Sequence, residues 1–271
     1  MKIKITMNST EILNFQQSIY TTSEKNEVYN FQSEAQRSSS ETLADSSSLI
    51  PTLILTFIYL NIVKIGPGKI DKKLNLEYLI SFYNFLQIMF SSWMFYGIAL
   101  EFSNYNFLCE PIDTTENGTK MKNMIWWYFI SKFTEFFDTF FFITQRKFAN
   151  LSTLHIFHHG IMPIFTWYGY THAPTGHETL GALLNTFVHI VMYTYYFLTI
   201  IGVNKKYLFF KKYITSLQLL QFAILICHSS ILFFYNPCGF PIIHSILMVS
   251  LMSIFFVLFV DFYFQSYKKK N

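Results

Sequence analysis

The sequence predicts an all-α polytopic membrane protein with seven transmembrane helices. Of its 271 residues, 52% are hydrophobic and 20% aromatic, while only 13% are charged, about half the charged share of an ordinary soluble domain. The apolar residues gather into seven runs of roughly membrane-spanning length. The basic residues gather in alternate connections between those runs, as the positive-inside rule requires.

Taken in order, residues 1–48 are polar, with serine islands at 38–40 and 46–48, and read as a disordered luminal tail. They hold no apolar core of the kind a cleavable signal peptide needs. The membrane domain is expected over 49–264, with helices near 49–63, 77–101, 122–144, 150–170, 179–203, 213–235 and 242–264. The first run is short and carries Pro51. A basic cytosolic tail occupies 265–271.

Lys64, Lys69, Lys72 and Lys73 follow the first run, and Arg146 and Lys147 the third. Lys205, Lys206, Lys211 and Lys212 follow the fifth, and Lys268, Lys269 and Lys270 the seventh. These are 13 of the 20 basic residues. They put the C-terminus in the cytosol and the N-terminus in the lumen. Sequons at Asn117 and Asn8 fall on the predicted luminal side and are glycosylation candidates. The terminal lysines resemble a dilysine retrieval signal, which points to the endoplasmic reticulum membrane.

Composition also excludes classes. The net charge of +4 is accounted for by loop lysines, and no nucleic-acid motif is present. Three cysteines without CxxC spacing do not make a zinc ribbon or an iron–sulfur cluster.

The polar residues inside the apolar runs carry the functional signal. His155, His158 and His159 lie within an arc of about 100° on the fourth helix, roughly 8–14 Å from its cytosolic start. The third helix, running the other way, carries Lys132, Glu135 and Asp138 on one face at matching depth. The fifth aligns Asn185, His189, Met192 and Tyr196, with Tyr193 beside them, and the sixth Thr215, Gln218 and Gln221. Titratable groups in a membrane helix are costly unless they face one another or a cavity, so these four helices are expected to line a shared interior.

Such a cavity suits metal ligation, acid–base or nucleophilic catalysis, a proton path, or ligand binding by a transporter or receptor. A zinc site from His155, His159 and His189 is open on ligand count, whereas the chain has no second histidine box of the kind di-iron enzymes use. Imidazole as nucleophile or general base fits the cluster directly. For Asn185, Gln218 and Gln221 taken singly, interhelical hydrogen bonding is the simpler role.

Four motifs together resemble one family. Lys132-x-x-Glu135-x-x-Asp138-Thr139 and His155-x-x-His158-His159 are followed by Asn185-x-x-x-His189-x-x-Met192-Tyr193-x-Tyr195-Tyr196 and Thr215-x-x-Gln218-x-x-Gln221-Phe222. In this order, on successive helices, they are similar to the motifs of the ELO very-long-chain fatty-acid elongases, over roughly residues 75–268. Asn150 stands where that family usually has Gln, the run Pro174-Thr175-Gly176-His177 departs from its Pro-Gly-Gly-His, and Asp261 replaces a common Asn.

The resemblance implies helices two to seven around a substrate tunnel and a 3-ketoacyl-CoA synthase that condenses long-chain acyl-CoA with malonyl-CoA. It implies no cofactor, and membrane lipid and the other enzymes of the elongation cycle as partners, with a homodimer as a further expectation. His158 is the expected nucleophile through an acyl-imidazole. His155, His159 and His189 are expected to transfer protons, and Lys132 to stabilise the developing oxyanion. Glu135, Asp138, Asn185, Tyr193, Tyr196, Gln218 and Gln221 are expected at the substrate, with Arg146, Lys147, Lys205 and Lys206 meeting the CoA phosphates. Cys109 and Cys238, both in predicted luminal loops, are expected to form a disulfide.

Overall fold

The computed structural model describes residues 48–267 except Lys205, Tyr207 and Phe209. Of the predicted tail only Ser48 is described; Asn8, Lys205 and the terminal lysines lie outside the described residues. The described chain is helical throughout, in the order α1 (Leu49–Ile65), α2 (Glu77–Phe102), α3 (Glu116–Thr134), α4 (Phe136–Thr144), α5 (Thr153–His172), α6 (Leu180–Ile200), α7 (Lys211–Ile231) and α8 (Ile242–Tyr267).

Five segments are long and apolar enough to cross a membrane: Leu49–Gly68, Glu77–Phe102, His177–Ile200, Lys211–Ile231 and Ile242–Tyr267. The remaining two predicted runs are helical too, but they carry the polar motifs. The run expected over 122–144 begins earlier, at Glu116, and breaks at Glu135 into α3 and α4. Asn117 therefore lies in the first turn of a helix rather than in a loop.

Helix contacts close a ring. α2 packs most extensively on α6, then α6 on α7, α7 on α8, α8 on α5, α5 on α3 and α3 on α2. α1 stands outside this ring against α5 and α4. Its exposed Leu53, Ile54, Phe57, Ile58 and Ile62 present the apolar surface a lipid-facing helix needs. Two apolar clusters hold the ring. Met162, Leu180, Phe222, Leu225, Met248 and Phe255 join α5 to α8. Met94, Ile98, Met121, Ile125 and Ala182 join α2, α3 and α6.

One end of the ring is closed by covalent and backbone links. Cys109, in the α2–α3 loop, is disulfide-bonded to Cys238, in the α7–α8 loop, with Cα atoms 5.8 Å apart. The Thr175 hydroxyl receives the Asp113 N–H at 2.8 Å, and the His177 N–H donates to the Glu110 carbonyl at 3.1 Å. Gly176 makes that approach possible. Its φ is +89°, and a Cβ there would stand 2.8 Å from the Pro111 carbonyl oxygen, so no other residue fits without strain.

Candidate active site

The histidine box is aimed by its helix start. The Ser152 side chain accepts the His155 N–H at 3.2 Å and caps α5. Because residues 148–150 form a separate 3-10 turn, the three histidines sit about 3–9 Å along α5, shallower than the sequence spacing predicts. Pro163 removes the helical donor to the His159 carbonyl, which loosens the backbone one turn past the box.

Around the box, α3, α4 and α6 supply a buried polar network. The Lys132 ammonium donates to Glu135 Oε1 at 2.6 Å and to Asn185 Oδ1 at 3.0 Å. The two charged side chains are only 1% and 3% exposed. His189 Nδ1 lies 3.3 Å from the same Glu135 oxygen, and the Tyr128 hydroxyl donates to Asn185 Oδ1 at 3.0 Å. Glu135 is thus gripped by α3 and α6 at the point where the helix breaks. One turn on, Asp138 Oδ2 accepts from the Tyr193 hydroxyl at 2.7 Å, and Tyr83 of α2 packs edge-on against Tyr193. Both ions of such a pair have lost water, and their attraction offsets that cost only with the help of further hydrogen bonds such as the one to Asn185.

The histidines differ in what holds them. His155 Nε2 is 2.7 Å from the Thr139 hydroxyl. Its ring lies 4.2 Å from that of His159. His158 is flanked by Phe255 at 4.9 Å and His159 at 5.4 Å. The Nδ1 atoms of His158 and His159 are buried without a hydrogen-bond partner, and so is Gln221 Oε1. Among the described residues, no three His, Cys, Asp or Glu side chains converge as a metal site.

A cavity opens beside the box. Tyr128, His158, Asn185 and Gln221 line one end, and Met162, Leu225, Met252 and Phe255 line its middle. An apolar passage with polar groups at its mouth can hold a long aliphatic chain and fix one reactive end.

The structure thus brings together Lys132, Glu135, Asp138, His155, His158, His159, Asn185, His189, Tyr193 and Gln221. Gln218 instead reaches the Met192 sulfur at 3.9 Å, and Tyr196 is 37% exposed beside Tyr193. Lys147 and Lys206 are exposed at the surface. Arg146 is exposed as well, and its Nη1 donates to the Ile70 carbonyl at 2.8 Å and to that of Asp71. With Gln145 Nε2 donating to the Leu74 carbonyl at 2.6 Å, it ties the α1–α2 loop to the α4–α5 turn.

Sequence reasoning missed Tyr59. It is 2% exposed, stacks on Phe136 at 4.4 Å, and receives the Thr139 hydroxyl at 3.3 Å. α1 therefore reaches His155 through Thr139. The signal was present: Thr52, Thr56 and Tyr59 are spaced to share one face of an otherwise apolar helix, and all three are buried.

Residues 45–271 match the profile of the ELO, GNS1/SUR4 family. Over 233 residues the chain is 41% identical to very long chain fatty acid elongase 7 of Drosophila melanogaster, covering 83% of this chain and 71% of that protein. It is 45% identical to a very long chain fatty acid elongase of Aedes aegypti, covering 82% of this chain and 64% of that one. Very long chain fatty acid elongase 5 of Mus musculus is 36% identical, with 82% and 76% covered. With the family profile matched over residues 45–271 and relatives at this level of identity, the chain belongs to the ELO family.

Proposed function

We propose that this protein lengthens long-chain fatty acyl-CoA by two carbons, condensing it with malonyl-CoA to give 3-ketoacyl-CoA, carbon dioxide and CoA. The observation that carries the reading is an apolar cavity lined at one end by His158 of the histidine box and by Asn185, which accepts from Lys132 of the buried Lys132–Glu135 pair. An acyl tail occupies the cavity as a tunnel, and the thioester stays among the polar groups.

The His158 imidazole attacks the thioester carbonyl. The C–S bond breaks, an acyl-imidazole forms, and the ring N–H proton passes through a neighbouring histidine to the departing CoA thiolate. Malonyl-CoA then loses carbon dioxide to give an enolate. The enolate carbon takes the acyl group, the C–N bond breaks, and the departing imidazolate takes a proton from a neighbouring histidine that is resupplied from solvent. His155, His159 and His189 serve as proton carriers. Lys132 keeps one ammonium N–H beyond those given to Glu135 and Asn185, available to a developing oxyanion.

The same reading includes seven crossings of the endoplasmic reticulum membrane, the N-terminus luminal and the C-terminus cytosolic. α5 and the α3–α4 pair supply the two crossings that hydropathy alone leaves short. Lys147 and Lys206 meet CoA phosphates at the cytosolic mouth. The test is incubation of the purified protein with acyl-CoA and carboxyl-labelled malonyl-CoA. Release of labelled carbon dioxide with a product two carbons longer is expected. A transporter or receptor would release none.

A further inference from the structure

The cavity that begins at His158 does not end on methyl groups. Its far end is lined by Glu178, Thr179 and His244, roughly 20 Å from the box as judged by the rise of α5 between His158 and His172. Glu178 sits in the 3-10 turn His177–Thr179 that opens α6. Its Oε2 accepts the Ser229 hydroxyl of α7 at 2.6 Å, and its Oε1 the Ser245 hydroxyl of α8 at 2.7 Å. Both serines are fully buried. Clamping α6 to α7 and α8 accounts for those two bonds. It does not account for the place of Glu178 in the cavity wall, nor for its being only partly buried.

Two serine protons leave each carboxyl oxygen a further lone pair. A terminal methyl pressed against that carboxyl desolvates it and returns nothing, whereas a hydroxyl donates to it. The cavity is thus polar at both ends and apolar between them.

We propose that its far end is a subsite for a hydrogen-bond donor at the ω-end of the acyl chain, an ω-hydroxyl being the simplest. The inference rests on the elongase reading and assigns the substrate class of that same site. The hydroxyl donates to a Glu178 oxygen and no covalent bond changes there. Chains too short to span the cavity do not reach the subsite.

The experiment pairs ω-hydroxyacyl-CoA with unsubstituted acyl-CoA of equal length, over a length series, with the full chain and labelled malonyl-CoA. At spanning lengths the ω-hydroxy member is expected to lead in kcat/KM by roughly 5- to 100-fold, the range one buried hydrogen bond supplies. At short lengths the ratio returns to one. Glu178→Leu should abolish the ratio, and Glu178→Gln, which keeps one acceptor, should retain part of it. If a variant fails to fold, the wild-type ratio still decides. No preference at any length, with unsubstituted chains elongated normally, overturns the subsite and leaves the elongase reading intact. No labelled carbon dioxide from either series overturns both.

Discussion

Eight histidines divide evenly between the two ends of the helical ring, and the ends use them differently. At the disulfide end, His177 and His228 stack with ring centroids 3.9 Å apart. Each puts its Nε2 against a backbone carbonyl, that of His228 at 3.1 Å and that of Phe107 at 2.9 Å. Those rings close loops. At the box end, His155 meets a hydroxyl, His189 a carboxylate, and His158 lines the cavity with only ring contacts to position it. The same side chain is a backbone clamp where its partners are carbonyls, and is left to the proposed chemistry where no carbonyl holds it.

The comparison breaks most sharply under one substitution made twice. Glutamine keeps a donor near the Nε2 position but is no nucleophile. His158→Gln should lower elongation by a factor on the order of 1000 or more, as loss of a nucleophile does, while His228→Gln should keep most activity, both read by labelled carbon dioxide release. Next in size is the buried pair. Lys132→Met strands the Glu135 carboxylate and should cost about 3–5 kcal/mol of stability, measured by denaturation in detergent.

At the other end, Cys109→Ser removes a link that spans 129 residues and should cost about 2–5 kcal/mol, with elongation retained at temperatures below unfolding. Gly176→Ala should cost about 1–3 kcal/mol through its positive φ and the Pro111 carbonyl, lowering the melting temperature without altering KM. The smallest effect should come from Tyr59→Phe. It keeps the stack on Phe136 and loses one hydroxyl contact worth about 1 kcal/mol, with a fall in kcat larger than any change in KM because Thr139 and His155 lose their outer partner.

Hydropathy made five long helices legible, since lipid-facing and core residues must both be apolar; α5 and the α3–α4 pair, which carry the polar motifs, are less apolar. Hydropathy could not reveal the break at Glu135, because no Pro or Gly marks it; the break coincides with the Lys132 hydrogen bond to Glu135 and with the approach of His189 from α6, which only tertiary packing supplies. Periodicity made the box face legible as well, and with it the depth match to Lys132 and Asp138. What anchors Arg146 was not legible from its charge. Its guanidinium satisfies carbonyls at Ile70 and Asp71, which are more than 70 positions away in the chain, and no local pattern encodes that reach. Tyr59 lay hidden because a tyrosine in an apolar run reads as one more hydrophobe.

The central claim is that His158 carries the acyl group. Incubating the protein with long-chain acyl-CoA and no malonyl-CoA, then measuring intact mass and mapping the adduct by peptide fragmentation, tests it directly. The account predicts a gain of one acyl mass on His158, discharged when malonyl-CoA is added. An adduct that persists in His158→Ala, or that maps to Cys227, the exposed cysteine outside the disulfide, would contradict it.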